Sequence, residues 1–301
     1  QQPQRQDFRN MSPDRKSYVF AMDHNLYYVD MEDEKNPIQL TKDGERFYSF
    51  GAATEAQIQQ RQRERERREE QEEEQQEQQE HQEQSDETAR RVRPNVTWSR
   101  DSKAFYVTRT DSRKVKDLFL VNSLSEPRPT LTTYKYSMPG EEEIPLSELH
   151  IFIREEKELK KANIDKWKFQ SVTNLHWAKG SEKLRFNRRD RLMRNMEFCE
   201  MDVATGEIKV LISESVNNAF LERQEVRYVK QDGDFIWWSE RMGYGHYYLY
   251  SNDGKLKNAI TSGPWRAHSI VALDSDKGVL WIHGYGREKG ENPYYRHLYR
   301  V

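Results

Sequence analysis

Glu240 and Arg241 stand side by side after the apolar run Phe235-Ile236-Trp237-Trp238-Ser239, one turn ahead of His246-Tyr247-Tyr248-Leu249-Tyr250. A carboxylate beside a guanidinium between two strands can contact a bound molecule, with Tyr244 next to it, or can fix the turn by hydrogen bonds. Neither use breaks a bond. The patterns that would break one are missing. No Gly-x-Ser-x-Gly elbow presents a nucleophilic serine. None of the 8 histidines forms a His-x-x-x-His or His-Glu-x-x-His pair, so no metal site is expected. No glycine-rich loop is shaped for phosphate. The single Cys199 permits neither a disulfide within the chain nor a thiolate cluster. The chain by itself is expected to catalyse nothing and to take no cofactor.

The elements that carry these residues repeat. One unit is a turn with Asp and Gly or Ser, an alternating apolar strand, a polar turn and a Leu/Tyr-rich strand. The first copy runs Ser12-Pro13-Asp14, Ser17–Met22, Leu26–Asp30, then Ile38–Thr41. The second begins at Val96-Thr97-Trp98 and continues through Ala104–Arg109 and Asp117–Val121. The third holds Leu175–Ala178, Lys183–Phe186, Glu197–Asp202 and Ile208–Leu211; the fourth Asp232–Glu240 and His246–Tyr250; the last Gly278–His283 and His297–Val301. Four short strands per unit at this spacing predict an all-β propeller of four-stranded blades. About five blades are visible, part of a ring expected to close with seven or eight. The domain assignment is one propeller domain over 1–301. Within it, 52–93 is a Gln/Glu/Arg-rich insertion.

That insertion explains the composition. Charged residues reach 33% and hydrophobic ones only 35%, but outside it the chain reads as ordinarily globular. Its propensities and Glu/Arg pairs predict a helix without an apolar stripe, hence no coiled coil. The chain starts at Gln1 without a signal-type apolar segment and is read as a processed or truncated product; no stretch is apolar enough to span a bilayer.

Two segments go beyond blade patterning. Trp238-Ser239-Glu240-Arg241-Met242-Gly243-Tyr244-Gly245-His246-Tyr247-Tyr248-Leu249-Tyr250 resembles the Trp-x-Ser-Glu-Arg-x-Gly-x-x-His-Leu-Tyr-x-Tyr signature of the dipeptidyl peptidase IV propeller, in the prolyl oligopeptidase family of serine peptidases. Thr261-Ser262-Gly263-Pro264-Trp265 resembles the Thr-x-Gly-x-Trp step that follows. Ser12-Pro13-Asp14 with Asn25-Leu26-Tyr27, Tyr136–Gly140 and Asn292–Arg300 match further family segments. The resemblance implies the non-catalytic propeller of a serine exopeptidase, with substrate contacts at Glu240, Arg241 and Tyr244. It implies as partners a peptide substrate, a C-terminal α/β-hydrolase domain of the same protein and a second copy in a homodimer. It places the protein in the bacterial periplasm or cell envelope. The family's Asp-Trp-x-x-Glu-Glu segment, which holds a substrate's amino group, is absent; the insertion occupies that interval. The alternative is a stand-alone propeller serving as an interaction scaffold.

Other charge runs are read as structural. The basic clusters at Arg109, Arg113 and Lys114–Lys116, and at Arg185–Arg194, are balanced by nearby acids in a chain of net charge −2. They are expected on solvated strand faces, and nucleic acid is not expected as a partner. Trp237, Trp238 and Trp265 are expected in the core between blades.

Overall fold

The structure, a computed structural model, describes residues 7–51, 91–221 and 226–301. These residues divide into two compact units, 1–169 and 170–301. Both are built from antiparallel sheets of short strands.

In the first unit, β1 (Asn10–Met11), β2 (Ser17–Met22), β3 (Asn25–Asp30) and β4 (Ile38–Gln39) form one meander in that order. The second sheet holds β5 (Val96–Trp98) and β6 (Ala104–Asp111). It is completed by β9 (Leu146–Ile153) and β10 (Glu158–Lys161). Between β6 and β9 the chain leaves the sheet. There β7 (Asp117–Asn122) and β8 (Thr130–Lys135) pair as a separate two-stranded hairpin. Asp117–Val121 is therefore a strand, as its residues predict, but not a blade strand. The place beside β6 is taken by β9, which pairs with it from Ala104↔Ile153 to Asp111↔Leu146.

The second unit has three sheets. The third sheet is β11 (Gln170–Ala178), β12 (Lys183–Asp190), β13 (Asn195–Asp202) and β14 (Ile208–Ser215). The fourth is β15 (Arg227–Tyr228), β16 (Phe235–Ser239), β17 (His246–Tyr250) and β18 (Leu256–Ala259). The fifth is β19 (Arg266–Asp274), β20 (Val279–Tyr285) and β21 (Arg296–Arg300).

The repeated turn signal has a repeated physical basis. Ser12 Oγ accepts the Ser17 amide (3.1 Å) and lies 2.6 Å from the Asp14 carboxylate, which accepts the Lys16 amide (3.0 Å). Ser99 and Asp101 repeat this with the amides of Ala104 (3.0 Å) and Lys103 (3.2 Å). Ser251 takes the Lys255 amide in the same way. Each serine and aspartate thus supplies acceptors that the backbone of a tight turn lacks.

Successive sheets within a unit share apolar faces. Val19, Ala21, Leu26 and Tyr28 of the first sheet pack with Val96, Trp98, Phe105, Val107 and Phe152 of the second. Phe198 and Met196 of the third pack with Phe235, Trp237, Tyr248 and Tyr250 of the fourth. Ile236, Trp238 and Tyr247 on the other face of the fourth meet Leu280, Ile282 and Tyr299 of the fifth. A sheet covered on both faces by its neighbours is a propeller blade. Trp237, Trp238 and Trp265 lie in these layers, as expected.

Residues 52–90, nearly all of the Gln/Glu/Arg-rich stretch and its expected helix, lie outside the described residues. The last residues of the expected 52–93 stretch, from Arg91, are described. Val92 exchanges two 2.9 Å backbone bonds with Ala21, adding a bridge beside the first sheet. A Cβ on Gly51 would stand 2.6 Å from Val92 Cγ2 and 2.5 Å from Ala21 Cβ, so the chain departs and returns at one point. Replacing 52–90 by a short Gly/Ser linker is therefore expected to leave the fold intact. Thermal unfolding should show a melting temperature within about 4 °C of the parent chain.

Candidate functional site

The turn between β16 and β17 is held from below. Trp238 lays its indole against Gly245, where an added Cβ would fall 2.0 Å from Cζ2. Gly243 closes the turn with φ +88°, its N–H donating a hydrogen bond to the Glu240 carbonyl (2.8 Å). His246 is buried and bonds Thr261 Oγ1 (3.1 Å) and the Gly263 carbonyl (2.9 Å), with Trp265 edge-on at 5.6 Å. The Ser-Glu-Arg-x-Gly run and the Thr-x-Gly-x-Trp step are thus one packed unit.

The three predicted site residues share this turn but not a common role. Arg241 folds back. Its Nη2 donates to Glu214 Oε1 (2.7 Å), its Nε donates to Ser239 Oγ (3.0 Å), and the guanidinium stacks 4.5 Å from the Tyr248 ring. Glu214 Oε1 also accepts Trp237 Nε1 (2.9 Å). Burial opposes the charge on Arg241, but the bonds to Glu214 and Tyr250 outweigh it and its pKa lies above the usual arginine value. Arg241 therefore braces the turn. Glu240, Met242 and Tyr244 remain exposed at its tip.

A second polar cluster, in the first unit, was not singled out from the sequence. Arg109 on β6 is buried rather than solvated. It clamps Asp43 through two bonds (2.9 and 3.0 Å), reaches the Tyr48 hydroxyl, and lies 3.3 Å from Glu148. Its guanidinium stacks on Tyr48 at 3.5 Å and Phe50 at 4.6 Å. Tyr48 donates to Glu148 (2.8 Å), and burial with that bond pushes its pKa up to about 12. Lys161 also bonds Glu148 (2.6 Å). His150 stands beside them with its Nδ1 buried and without a hydrogen-bond partner among the described residues. Burial, seconded by Arg109, holds its pKa down at about 4.

The basic run on β12 is likewise not a solvated face. Arg185 bonds Glu200 (2.7 Å), the Tyr228 hydroxyl (3.1 Å) and the Asn252 carbonyl (2.8 Å). Arg188 pairs with Glu197 (2.7 Å), both buried. The signal that finds them is register. In the β12–β13 hairpin, Arg185 stands opposite Glu200 and Arg188 opposite Glu197. Glu141, Glu142 and Glu143 lie in a loop, where Glu141 bonds Lys116 (2.9 Å) and Glu142 bonds Lys168 (3.2 Å).

Among the described residues, no group of three or more His, Cys, Asp or Glu side chains is placed to hold a metal ion. No helix among them is long and apolar enough to cross a membrane.

Two predictions follow from these contacts. Gly245→Ala is expected to cost about 1–3 kcal/mol, because backbone and indole cannot both stay in place; chemical denaturation measures it. His150 has a folded pKa of about 4, against roughly 6.5 unfolded. Its neutral form stabilises the fold above the unfolded value, and that contribution is lost as pH falls through the window towards 4. His150→Phe should therefore flatten the decline in stability between about pH 6.5 and 4, by up to about 3 kcal/mol.

Comparison with known proteins agrees with the fold and the motif. The family model described as the dipeptidyl peptidase IV (DPP IV) N-terminal region matches residues 1–54 and 92–301, interrupted only across the insertion. The crystal structure of Porphyromonas gingivalis dipeptidyl peptidase 4 superposes with a TM-score of 0.68 at 19% identity, over 97% of this chain and 37% of that one. A Bacteroides ovatus protein provisionally named a dipeptidyl aminopeptidase IV gives 0.63 at 15%, over 98% and 39%. The chain thus spans well under half the length of either protein. It belongs to the DPP IV N-terminal region family and is a propeller portion of that peptidase family.

Proposed function

We propose that this propeller gates and binds peptides for a serine exopeptidase whose hydrolytic machinery is an α/β-hydrolase domain of the same polypeptide. The observation that carries this is the family match running through both sides of the β16–β17 turn. That turn is braced by Arg241–Glu214 and Trp238–Gly245, and Glu240 and Tyr244 are exposed on it. A rigid exposed carboxylate can accept N–H donors of a peptide, and an exposed phenol adds an aromatic surface and a further hydrogen bond. The reaction served is amide hydrolysis: a serine hydroxyl attacks the carbonyl, the amine leaves with a proton, and water releases the acyl group. The compartment proposed is the bacterial periplasm or cell envelope, on the family resemblance alone.

The full-length protein should hydrolyse chromogenic peptide amides, and an X-Pro chromogenic dipeptide separates a dipeptidyl peptidase from a relative that lacks the amine-binding acids. Glu240→Gln, which keeps the size and removes the charge, is expected to raise KM by about three- to tenfold with kcat little changed. A full-length protein that binds peptide but hydrolyses none would favour the scaffold reading. An unchanged KM would remove Glu240 from the substrate's path.

A further inference from the structure

We propose that Glu214 is a positioning residue for peptide binding: from the third sheet it sets the pose of the β16–β17 tip without touching the substrate. This role rests on the peptide contacts proposed for Glu240 and Tyr244. Glu214 lies on β14, opposite Met196 of β13, and its side chain is only 10% exposed. One of its oxygens, Oε1, accepts two donors from the fourth sheet. Trp237 Nε1 donates to it from within β16 (2.9 Å), and Arg241 Nη2 from the turn that follows (2.7 Å).

The tip is thereby mounted on two different sheets. At its far end the Gly245 carbonyl accepts the Ala267 amide (2.8 Å), and Trp238 Nε1 donates to the Ala267 carbonyl (2.7 Å). Those bonds fasten it to the fifth sheet. At its near end the Arg241–Glu214 bond fastens it to the third. A segment held at one end can pivot there, and a second mount on another element removes that freedom. Arg241 also donates to Ser239 Oγ (3.0 Å), but Ser239 ends the strand that carries the turn, so that bond moves with the tip. Glu214 belongs to the neighbouring sheet and gives a fixed reference.

Trp237 makes the support precise. An indole has a single N–H, and in a packed layer it donates in one direction, which pins Oε1 where the guanidinium meets it. The Arg241–Glu214 pair is charge-assisted and largely shielded at the carboxylate, so it is stiffer than a surface pair. Because both donors meet one oxygen, the position of that atom matters more than the charge behind it.

Steady-state kinetics of the full-length protein on chromogenic peptide amides tests this role. Glu214→Leu removes the acceptor and is expected to raise KM about three- to tenfold with kcat little changed. Glu214→Asp, whose oxygens fall one methylene short of both donors, should shift KM in the same sense. Glu214→Gln keeps an oxygen at the same reach and should stay within about twofold of the parent. In a Glu240→Gln background, Glu214→Leu should add less than about twofold, since both act through one contact. Lys183→Met, which breaks the Lys183–Asp202 pair at the opposite end of the third sheet, should leave KM unchanged. Hydrogen exchange over residues 240–245 of the same proteins reads the brace without substrate. The Gly243 amide, bonded to the Glu240 carbonyl, should exchange at least about fivefold faster in the Leu and Asp variants and not in the Gln variant. Unaltered exchange overturns the proposal whatever the kinetics show. Where Glu240→Gln raises KM, an unchanged KM in Glu214→Leu and Glu214→Asp overturns it too, and so does a rise that Glu214→Gln shares. Faster exchange with KM unchanged in both Glu214→Leu and Glu240→Gln would instead remove the peptide contact, and the positioning role with it, while leaving the brace in place.

Discussion

Sheets of three or four short strands cannot bury enough surface by themselves, and here each must be covered by the next. That requirement shapes the rest of the molecule. It explains why β16 is buried at all five positions, not at every second one. Phe235 and Trp237 face the third sheet, while Ile236 and Trp238 face the fifth. A strand covered on both faces loses the apolar/polar alternation of a one-sided sheet and reads as a continuous aromatic and β-branched run. On β2, Val19 and Ala21 face the second sheet, while Tyr18 and Phe20 are covered by Phe8 and by side chains of their own sheet. Polar side chains are driven to strand ends and turns, and the candidate site forms there.

Where charge does enter the layers, it enters in pairs. Arg109, Arg185 and Arg188 are nearly inaccessible, and each meets a carboxylate at hydrogen-bond distance. A buried ion pair adds little net stability, but loss of one partner strands the other charge in a poorly solvating interior. These pairs therefore act as locks on register. Arg109 fastens the segment around Asp43 and Tyr48 to the second sheet. Arg185 ties β12 to the loop at Asn252 in the fourth sheet. Arg241 differs only in degree: its Glu214 partner is 10% exposed, and its own guanidinium is about one-third exposed at the edge of the turn.

Much of this was legible in the residues themselves. Ser-x-Asp turns and short apolar runs located the strands, because the turn chemistry is local and the side-chain period is fixed by the pleat. Pairing was less legible. Asp117–Val121 has the composition of a strand, and nothing local says that β6 instead waits some forty residues for β9. Strand propensity describes a residue's own backbone, whereas sheet membership is settled by which face can be covered. The buried arginines were misjudged for a related reason. Charge predicts exposure only when no opposite charge lies across the strand, and that depends on register. Within the candidate site, the motif located the turn correctly. It could not separate Arg241, which folds back to brace the turn, from Glu240 and Tyr244, which are exposed at its tip.

That separation has a consequence for how the turn could recognise anything. Gly243, Gly245, Trp238 and Arg241 are committed by geometry: change any one and the hairpin must move. Glu240, Met242 and Tyr244 carry no comparable share of the packing, since all three project from the tip. The fold therefore exposes the side chains of the tip while fixing its position. A binding group needs both conditions, because a carboxylate on a mobile loop loses in ordering entropy much of what it gains in contact. The Arg241–Glu214 bond is largely shielded at the carboxylate and anchored to Trp237 through the same oxygen, so it resists competition from water better than a surface pair would. Recognition at Glu240 would draw on that rigidity, which originates in the aromatic layer two residues below it.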